Sequence, residues 1–511
     1  MLSKINSFGI LGIDAYPVEI EVDISLGLPA VNIVGLPDAS VKESKERIKS
    51  AIKNSGYSFP PKRITVNLAP ADIKKEGGNF DLAIALGILA SSGQLNKDLL
   101  TDYIILGELS LEGRLRRIKG AMPIAMKMRS GRIKNLILPY ANAREAGLIK
   151  GVDSFGVESI KDTIQFLSSG GKSISPTKID LNNNLKDIQR NEVDFSEVKG
   201  QIMAKRAIEV AVSGGHNILM IGPPGSGKSM LAKRIPTIIP DMTEEEIIET
   251  TSIHSSLGLV PENKGLILNR PFRAPHHTAS DVALIGGGSM PQPGEISLTH
   301  NGVLFLDELP EFHRNVLEAL RQPLEDGRVH ISRANKSLIF PSRFMLVCAM
   351  NPCPCGKFND LKSSCRCNTT QIARYRAKIS SPLLDRIDIH IEVPAVRYQE
   401  LSSNFPTESS TQIKERVNKA RQIQRERLSA IGISCNAQMS HKQVRKFCTL
   451  GKEENELLKV AMTELNFSAR AYDKILKVSR TIADLAGSEQ IKVEHLSEAI
   501  QYRSLDRDFF V

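Results

Sequence analysis
The sequence predicts an α/β protein in three successive parts, and three observations predict it. The apolar run Asn217-Ile218-Leu219-Met220-Ile221 reads as a buried strand, a glycine-rich loop follows, and Met230 to Ile235 carries a helical pattern. Two later apolar runs, Val303 to Leu306 and Phe344 to Met350, read as further buried strands, each ending in polar side chains. Gly170 to Thr177 and Asn182-Asn183-Asn184 form a seam of turn formers, with strand and helix patterns before it and a helical pattern from about Val396. The 511 residues suit roughly three domains. The expected division is an α/β domain over 1–170, a linker over 171–190, an α/β core over 191–395 and a helical domain over 396–511.

In the first part, Tyr16 to Ile24 alternates as a half-buried strand and Ile64 to Leu68 as another, while Ser40 to Ser55 places Val41, Ile48 and Ile52 on one helical face. Lys75-Glu76-Gly77-Gly78-Asn79-Phe80-Asp81-Leu82-Ala83 and Gly107-Glu108-Leu109-Ser110-Leu111-Glu112-Gly113-Arg114 resemble the two segments that carry the catalytic pair of the Lon protease domain. That pair is a serine nucleophile whose hydroxyl proton is taken by a neutral lysine amine. The matching positions hold Asn79 and Met122, so the resemblance implies a Lon-protease-like fold without protease activity. Eight cations and no acid lie between Arg114 and Lys134, which suits either a solvated face or a positive rim around a ring.

The core carries the chemistry. Gly222-Pro223-Pro224-Gly225-Ser226-Gly227-Lys228-Ser229 fits the pattern G-x-x-x-x-G-K-S/T in the required strand–loop–helix setting. Its glycines let backbone N–H groups close on a polyphosphate at a helix N-terminus. Lys228 is expected on the β/γ-phosphates of ATP and Ser229 on Mg²⁺. About 80 residues later the strand Val303–Leu306 ends in Asp307, suited to the Mg²⁺ shell, and Glu308, suited to orienting and deprotonating water. The strand ending at Met350 is followed by Asn351, an amide able to hold that water against the γ-phosphate. Arg386 is expected as a finger on a neighbouring subunit's nucleotide, and Arg470 as a lid sensor on the nucleotide of its own subunit. This order of parts resembles the AAA+ superfamily, and an arginine supplied in trans implies a ring.

Two insertions and a cysteine cluster decorate this core. Arg328 to Phe340 alternates on both sides of a polar tip, the pattern of a β-hairpin. Its position resembles the pore hairpin of the helicase-loader and chelatase branch of AAA+ proteins. There Arg333 and Lys336 would grip DNA phosphates without reading bases, or simply solvate a surface hairpin. Arg270 to Ser280, followed by Gly286-Gly287-Gly288, resembles the helix-2 insert of the same branch; the adjacent His276 and His277 are poorly placed to share a metal. Cys353-Pro354-Cys355 and Cys365-Arg366-Cys367, within 353–367, offer four thiolates for a structural Zn²⁺, although zinc pairs are usually spaced C-x2-C. Unliganded reduced thiols are the alternative.

In the helical domain, Lys414, Arg416, Lys419, Arg421, Arg425 and Arg427 crowd one stretch that either tracks a phosphate backbone or solvates a helix face. The net charge of +10 permits a polyanionic partner without requiring one. Seven unevenly clustered cysteines argue for reduced thiols and a cytoplasmic protein, and neither a signal-peptide pattern nor a membrane span is recognised.

Over its whole length the chain resembles the ComM/YifB family, described as magnesium-chelatase-like. The resemblance implies a hexameric DNA helicase that drives branch migration when incoming single-stranded DNA pairs with a chromosome. Three functions are therefore expected in competition: a DNA motor, an ATP-driven remodelling chaperone of magnesium-chelatase type, and a protease, against which Asn79 and Met122 stand.

Overall fold
The computed structural model describes residues 2–180, 193–288, 291–333, 336–358, 364–396, 400, 407–465 and 467–505. The chain forms two compact units, one of 1–188 with 243–268 and one of 189–242 with 269–511.

The first unit is built on a seven-stranded mixed sheet in the order Ala30–Val34, Arg63–Ala69, Asp14–Ser25, Leu2–Leu11, Tyr103–Ile105, Asn135–Pro139 and Asp153–Val157. Leu2–Leu11 and Asp14–Ser25 make an antiparallel hairpin, turned at Gly12 with φ 65°. Val18, Ile20 and Val22 point inward while Glu19 and Glu21 face outward onto Lys4 at 2.9 and 2.8 Å, so period-two alternation sets the register. The helix Ala39–Asn54, capped by Asp38, buries Val41, Ile48 and Ile52 as its spacing predicts. The helix Asp81–Ser91 is buried on every side. Its first residue keeps one ion pair, Asp81 Oδ2 to Arg47 Nε at 2.8 Å. Burial nevertheless pushes the Asp81 carboxyl up to about 6.

The segment 243–268 lies inside the span read as the core, yet it packs with this first unit. Its helix Glu244–Leu257 starts in a Thr243/Glu246 capping box. At its far end the carbonyl of Ser255 accepts from Gly120 N at 2.9 Å. Ser255 Oγ bonds the buried Glu145 carboxylate, which also accepts from Met122 N at 3.1 Å.

The second unit holds a five-stranded parallel sheet in the order Phe272–Arg273, Val303–Leu306, Met345–Met350, Ile218–Ile221 and Ile389–Glu392. Its inner strands are continuous apolar runs because both faces are covered, the usual condition of a parallel sheet. The C-terminal helices Ser410–Leu428 and Ala469–Leu485 share one core with the sheet and with the helix Ile202–Gly214, through Val417, Ile475, Val478, Ile482, Val210 and Ala211. This accounts for the crowded cations of Ser410–Leu428. Lys414 pairs with Asp241, Arg416 with Glu209 and Glu408, and Arg427 with Asp484, while Arg421 donates to the Val212 carbonyl. Those four make intramolecular bonds, while Lys419 and Arg425 remain exposed.

Candidate ATP site and cysteine cluster
Because all five strands of the second sheet run parallel, every strand-end polar group predicted from the sequence emerges at one edge. This is where open α/β sheets bind ligands. The register pairs Ile221 with Met350 and Leu306 with Cys348, which sets Gly222, Asn351 and Asp307 side by side. Gly225 and Gly227 take φ of 77° and 94°, values that an L side chain rarely adopts, and so they turn the loop into the helix Lys228–Ile238. Gly222 is needed for a different reason: a Cβ there would run into the Val393 carbonyl.

Lys228 Nζ donates to the carbonyls of Gly222 at 2.7 Å and Pro223 at 2.9 Å, and lies 3.3 Å from Asn351 Oδ1. Burial pulls its ammonium down to about 8 despite the nearby Asp307 and Glu308 carboxylates. Ser229 Oγ donates to Asp307 Oδ2 at 2.5 Å, so the two expected Mg²⁺ ligands already converge. Asp307 Oδ1 accepts from Glu308 N at 3.0 Å, and Glu308 itself has φ 52°, a left-handed conformation uncommon outside glycine. Such backbone strain gathers at functional positions. Gln201, which drew no attention in the sequence, also has φ 56°, and its Nε2 donates to the carbonyls of Ser226 at 3.1 Å and Pro394 at 2.6 Å, pinning the phosphate loop from behind.

The two arginines lie elsewhere. Asn217, just before the Ile218–Ile221 strand, donates from Nδ2 to the Arg386 carbonyl at 2.9 Å and accepts from Asp388 N at 3.0 Å. Arg386 therefore stands at the amino-terminal edge of the sheet. Four strand residues, roughly 13 Å of rise, separate that edge from the phosphate loop. Its guanidinium pairs with Glu325 and donates to the Pro382 carbonyl at 2.7 Å. Arg470 stands beside it, 3.9 Å from Asp385 Oδ2. The guanidinium expected on the nucleotide of its own subunit thus faces Asp385 in this structure. Four residues along the same helix, the partly buried Lys474 binds Asp388 at 2.9 Å, tying the start of Ala469–Leu485 to the amino-terminal edge. Although burial opposes it, Lys474 and His216 hold the Asp388 carboxyl well below the usual range.

Cys353, Cys355, Cys365 and Cys367 converge, with all four sulfurs within 4.8 Å of one another. The separations are 3.4 Å for Cys353–Cys355, 3.7 Å for Cys353–Cys365 and 3.6 Å for Cys355–Cys365. A tetrahedron with Zn–S bonds of about 2.3 Å has edges of about 3.8 Å, so the donor set fits a metal ion. Backbone N–H groups of Arg366 and Lys357 pull the Cys355 thiol down to about 6, whereas the crowded sulfurs push the Cys365 and Cys367 thiols up against the same backbone help. The cluster also abuts the phosphate loop, since a Cβ on Gly356 would meet Pro224 Cδ at 2.5 Å.

Arg328–Arg333 and Lys336–Pro341 form the expected hairpin, with Arg333 paired to Lys336 in the last described rung; residues 334–335 of its tip lie outside the described residues. His277, not counted among the site residues in the sequence, lies 3.5 Å from Glu308 Oε2 through Nδ1. In the first unit Asn79 Nδ2 donates to the Lys119 carbonyl at 3.3 Å, at the head of the helix Ala121–Met128 in which Met122 is fully buried.

Comparison with known proteins agrees along the whole chain. Family models described as "Magnesium chelatase, subunit ChlI", "Subunit ChlI of Mg-chelatase" and "Magnesium chelatase, subunit ChlI C-terminal" match residues 194–401, 20–142 and 407–503. Competence protein ComM of Haemophilus influenzae is 45% identical over 507 residues, 99% of this chain and 98% of that one. The protein YifB of Escherichia coli is 44% identical over 508 residues, again 99% and 98%. The chain belongs to the ComM/YifB family of magnesium-chelatase-like proteins. The α/β architecture and AAA+ core with a helical C-terminal region are those of this family, and with the core come ATP and Mg²⁺ as its ligands. Lon protease 2 of Bacillus subtilis is 24% identical over 153 residues, 27% of this chain and 26% of that protein. Among the described residues no helix is long and apolar enough to cross a membrane.

Proposed function
We propose that this chain is the subunit of a ring-shaped ATPase that hydrolyses ATP at its subunit interfaces and uses the cycle to translocate along DNA. The observation that carries the ring is the division of one catalytic set between opposite edges of a sheet. Lys228, Ser229, Asp307, Glu308 and Asn351 gather at the carboxyl edge, and Arg386 with Arg470 at the amino edge. A head-to-tail interface brings the second edge of one subunit to the first edge of the next, and repetition closes a ring, a hexamer in this reading. Mg²⁺ would be held by Ser229 and Asp307, and Glu308 would take the proton of the attacking water. Both arginines would neutralise transition-state charge on the neighbour's nucleotide.

The DNA reading is supported by the hairpin with Arg333 and Lys336 beside its tip and by the printed name of the competence relative. That name speaks of competence, and branch migration in recombination or natural transformation is the role this reading assigns to the motor. A zinc ion on the four cysteines would fix the loop that abuts Pro224, and zinc-bound and free thiols suit a reducing cytoplasm. Protease activity is not part of this reading, since neither Asn79 nor Met122 can act as nucleophile or base. A remodelling chaperone of magnesium-chelatase type is the second reading, favoured by the names of the matching family models.

Steady-state ATP turnover with and without single-stranded or forked DNA separates the two, with protoporphyrin as the control. The motor predicts stimulation by DNA that weakens with salt and is lost in Arg333→Ala/Lys336→Ala. A turnover indifferent to DNA returns the function to protein remodelling.

A further inference from the structure
The seven cysteines, all free, divide by exposure. Cys348, Cys435 and Cys448 are 0%, 4% and 4% exposed, whereas Cys355, Cys365 and Cys367 of the cluster are half-buried. Solvent therefore reaches the cluster and not the other three thiols. The turn that carries its first pair also touches the ATP site. Gly356 N donates to the Cys353 carbonyl at 2.9 Å, and Gly356 takes a φ of 76°. A Cβ there would lie 2.5 Å from Pro224 Cδ and 3.8 Å from Asn351 Cγ. Gly356 is thus wedged between the phosphate loop and the amide that lies 3.3 Å from Lys228 Nζ. Cys355 is its chain neighbour, so drawing that sulfur toward another pulls on the wedge.

We propose that the cluster is a peroxide-modification site: oxidation of Cys355 and Cys365 to a disulfide opens the metal site, shifts Gly356 against Pro224 and lowers ATP turnover until the thiols are reduced. The proposal rests on the readings of the cluster as a metal site and of the chain as an ATPase. The Cys355 thiolate attacks one oxygen of hydrogen peroxide and breaks the O–O bond, which leaves a sulfenic acid and releases hydroxide. The Cys365 thiolate, 3.6 Å away, then attacks that sulfur and expels the second hydroxide. Two thiolates lose two electrons in all, and the peroxide that gains them leaves as two hydroxides. The new S–S bond is about 2.05 Å long, so the two sulfurs close by about 1.5 Å. Only Cys353 and Cys367 then remain as thiolates, too few to close a tetrahedral site. The displacement of Cys355 passes through one peptide unit to Gly356, and from there to Pro224 and Asn351.

The test exposes the zinc-loaded full chain to hydrogen peroxide, quenches with catalase, and follows free thiols, released zinc and ATP turnover together. About two thiols per chain should disappear as zinc is released, and mass mapping of a digest should find Cys355 joined to Cys365. Turnover should fall about 10-fold or more, because a misplacement of about 1 Å beside a reaction site costs up to about 10²-fold. Dithiothreitol with added zinc should restore it. Gly356→Ala should lower turnover without peroxide while its thiol and zinc contents stay parental. Thiols and zinc unchanged by peroxide overturn the proposal, as does a disulfide that forms while turnover holds. A loss of turnover that reductant and zinc do not reverse also overturns it, since that marks damage rather than a switch. A parent without zinc refutes the metal reading, and the disulfide and its effect on ATP are then judged on their own. A parent without turnover refutes the ATPase reading instead, and a fluorescent-nucleotide affinity unchanged by peroxide then sinks the switch as well.

Discussion
If Arg386 serves the neighbour's nucleotide, two inactive variants should rescue each other. Arg386→Ala keeps an intact phosphate loop but lacks the finger, and Lys228→Ala keeps the finger but lacks the loop. The edge-to-edge separation of roughly 13 Å leaves no route for Arg386 to its own site. Each variant alone should fall to a thousandth of parental turnover or less, the lower end of about 10³–10⁵ found for such arginines. In rings assembled at random from equal amounts, about a quarter of the head-to-tail interfaces join an intact loop to an intact finger. Mixed rings should therefore recover up to about a quarter of parental turnover, far above either parent variant. The assay is phosphate release from rings co-expressed with two different tags and purified through both. Doubly tagged rings with no recovery would refute the composite site. Arg470→Ala should complement Lys228→Ala in the same way, because it shares the edge with Arg386.

Glu308→Gln should bind ATP normally while turnover drops by about 10²–10⁴, the usual contribution of a general base; nucleotide titration and phosphate release measure the two separately. Lys228 stands at about 8 in the free protein, and phosphates would raise its pKa on binding. ATP affinity should therefore hold below pH 8 and fall up to about tenfold per unit above it. A fluorescent-nucleotide titration that stays flat from neutral to alkaline pH would contradict the buried ammonium. Elemental analysis should find about one zinc per chain, lost on Cys353→Ser/Cys365→Ser together with thermal stability; a metal-free parent would leave the cysteines as packed thiols.

The sequence by itself determined what depends on neighbours in the chain. Alternation in Tyr16 to Ile24 gave a strand with Val18, Ile20 and Val22 inward, and the spacing of Val41, Ile48 and Ile52 gave a helix, because both periodicities are local. The phosphate loop was legible for the same reason, since Gly225, Gly227, Lys228 and Ser229 act within one strand–loop–helix turn. The strand-end groups Asp307, Glu308 and Asn351 followed because a parallel sheet sends all its carboxyl ends to one side. Tertiary structure alone decided what depends on residues far apart in sequence. The place of Arg470 was set by Lys474 reaching Asp388, and the partners of four lid cations are Asp241, Glu209, Glu408, Val212 and Asp484. Likewise Gln201 found Ser226 and Pro394, His277 found Glu308, and Thr243–Leu268 joined the first unit through Gly120, Met122 and Glu145. These are side-chain encounters selected by packing and the burial of charge. No periodicity encodes them, because each partner is chosen by the folded chain rather than by its spacing.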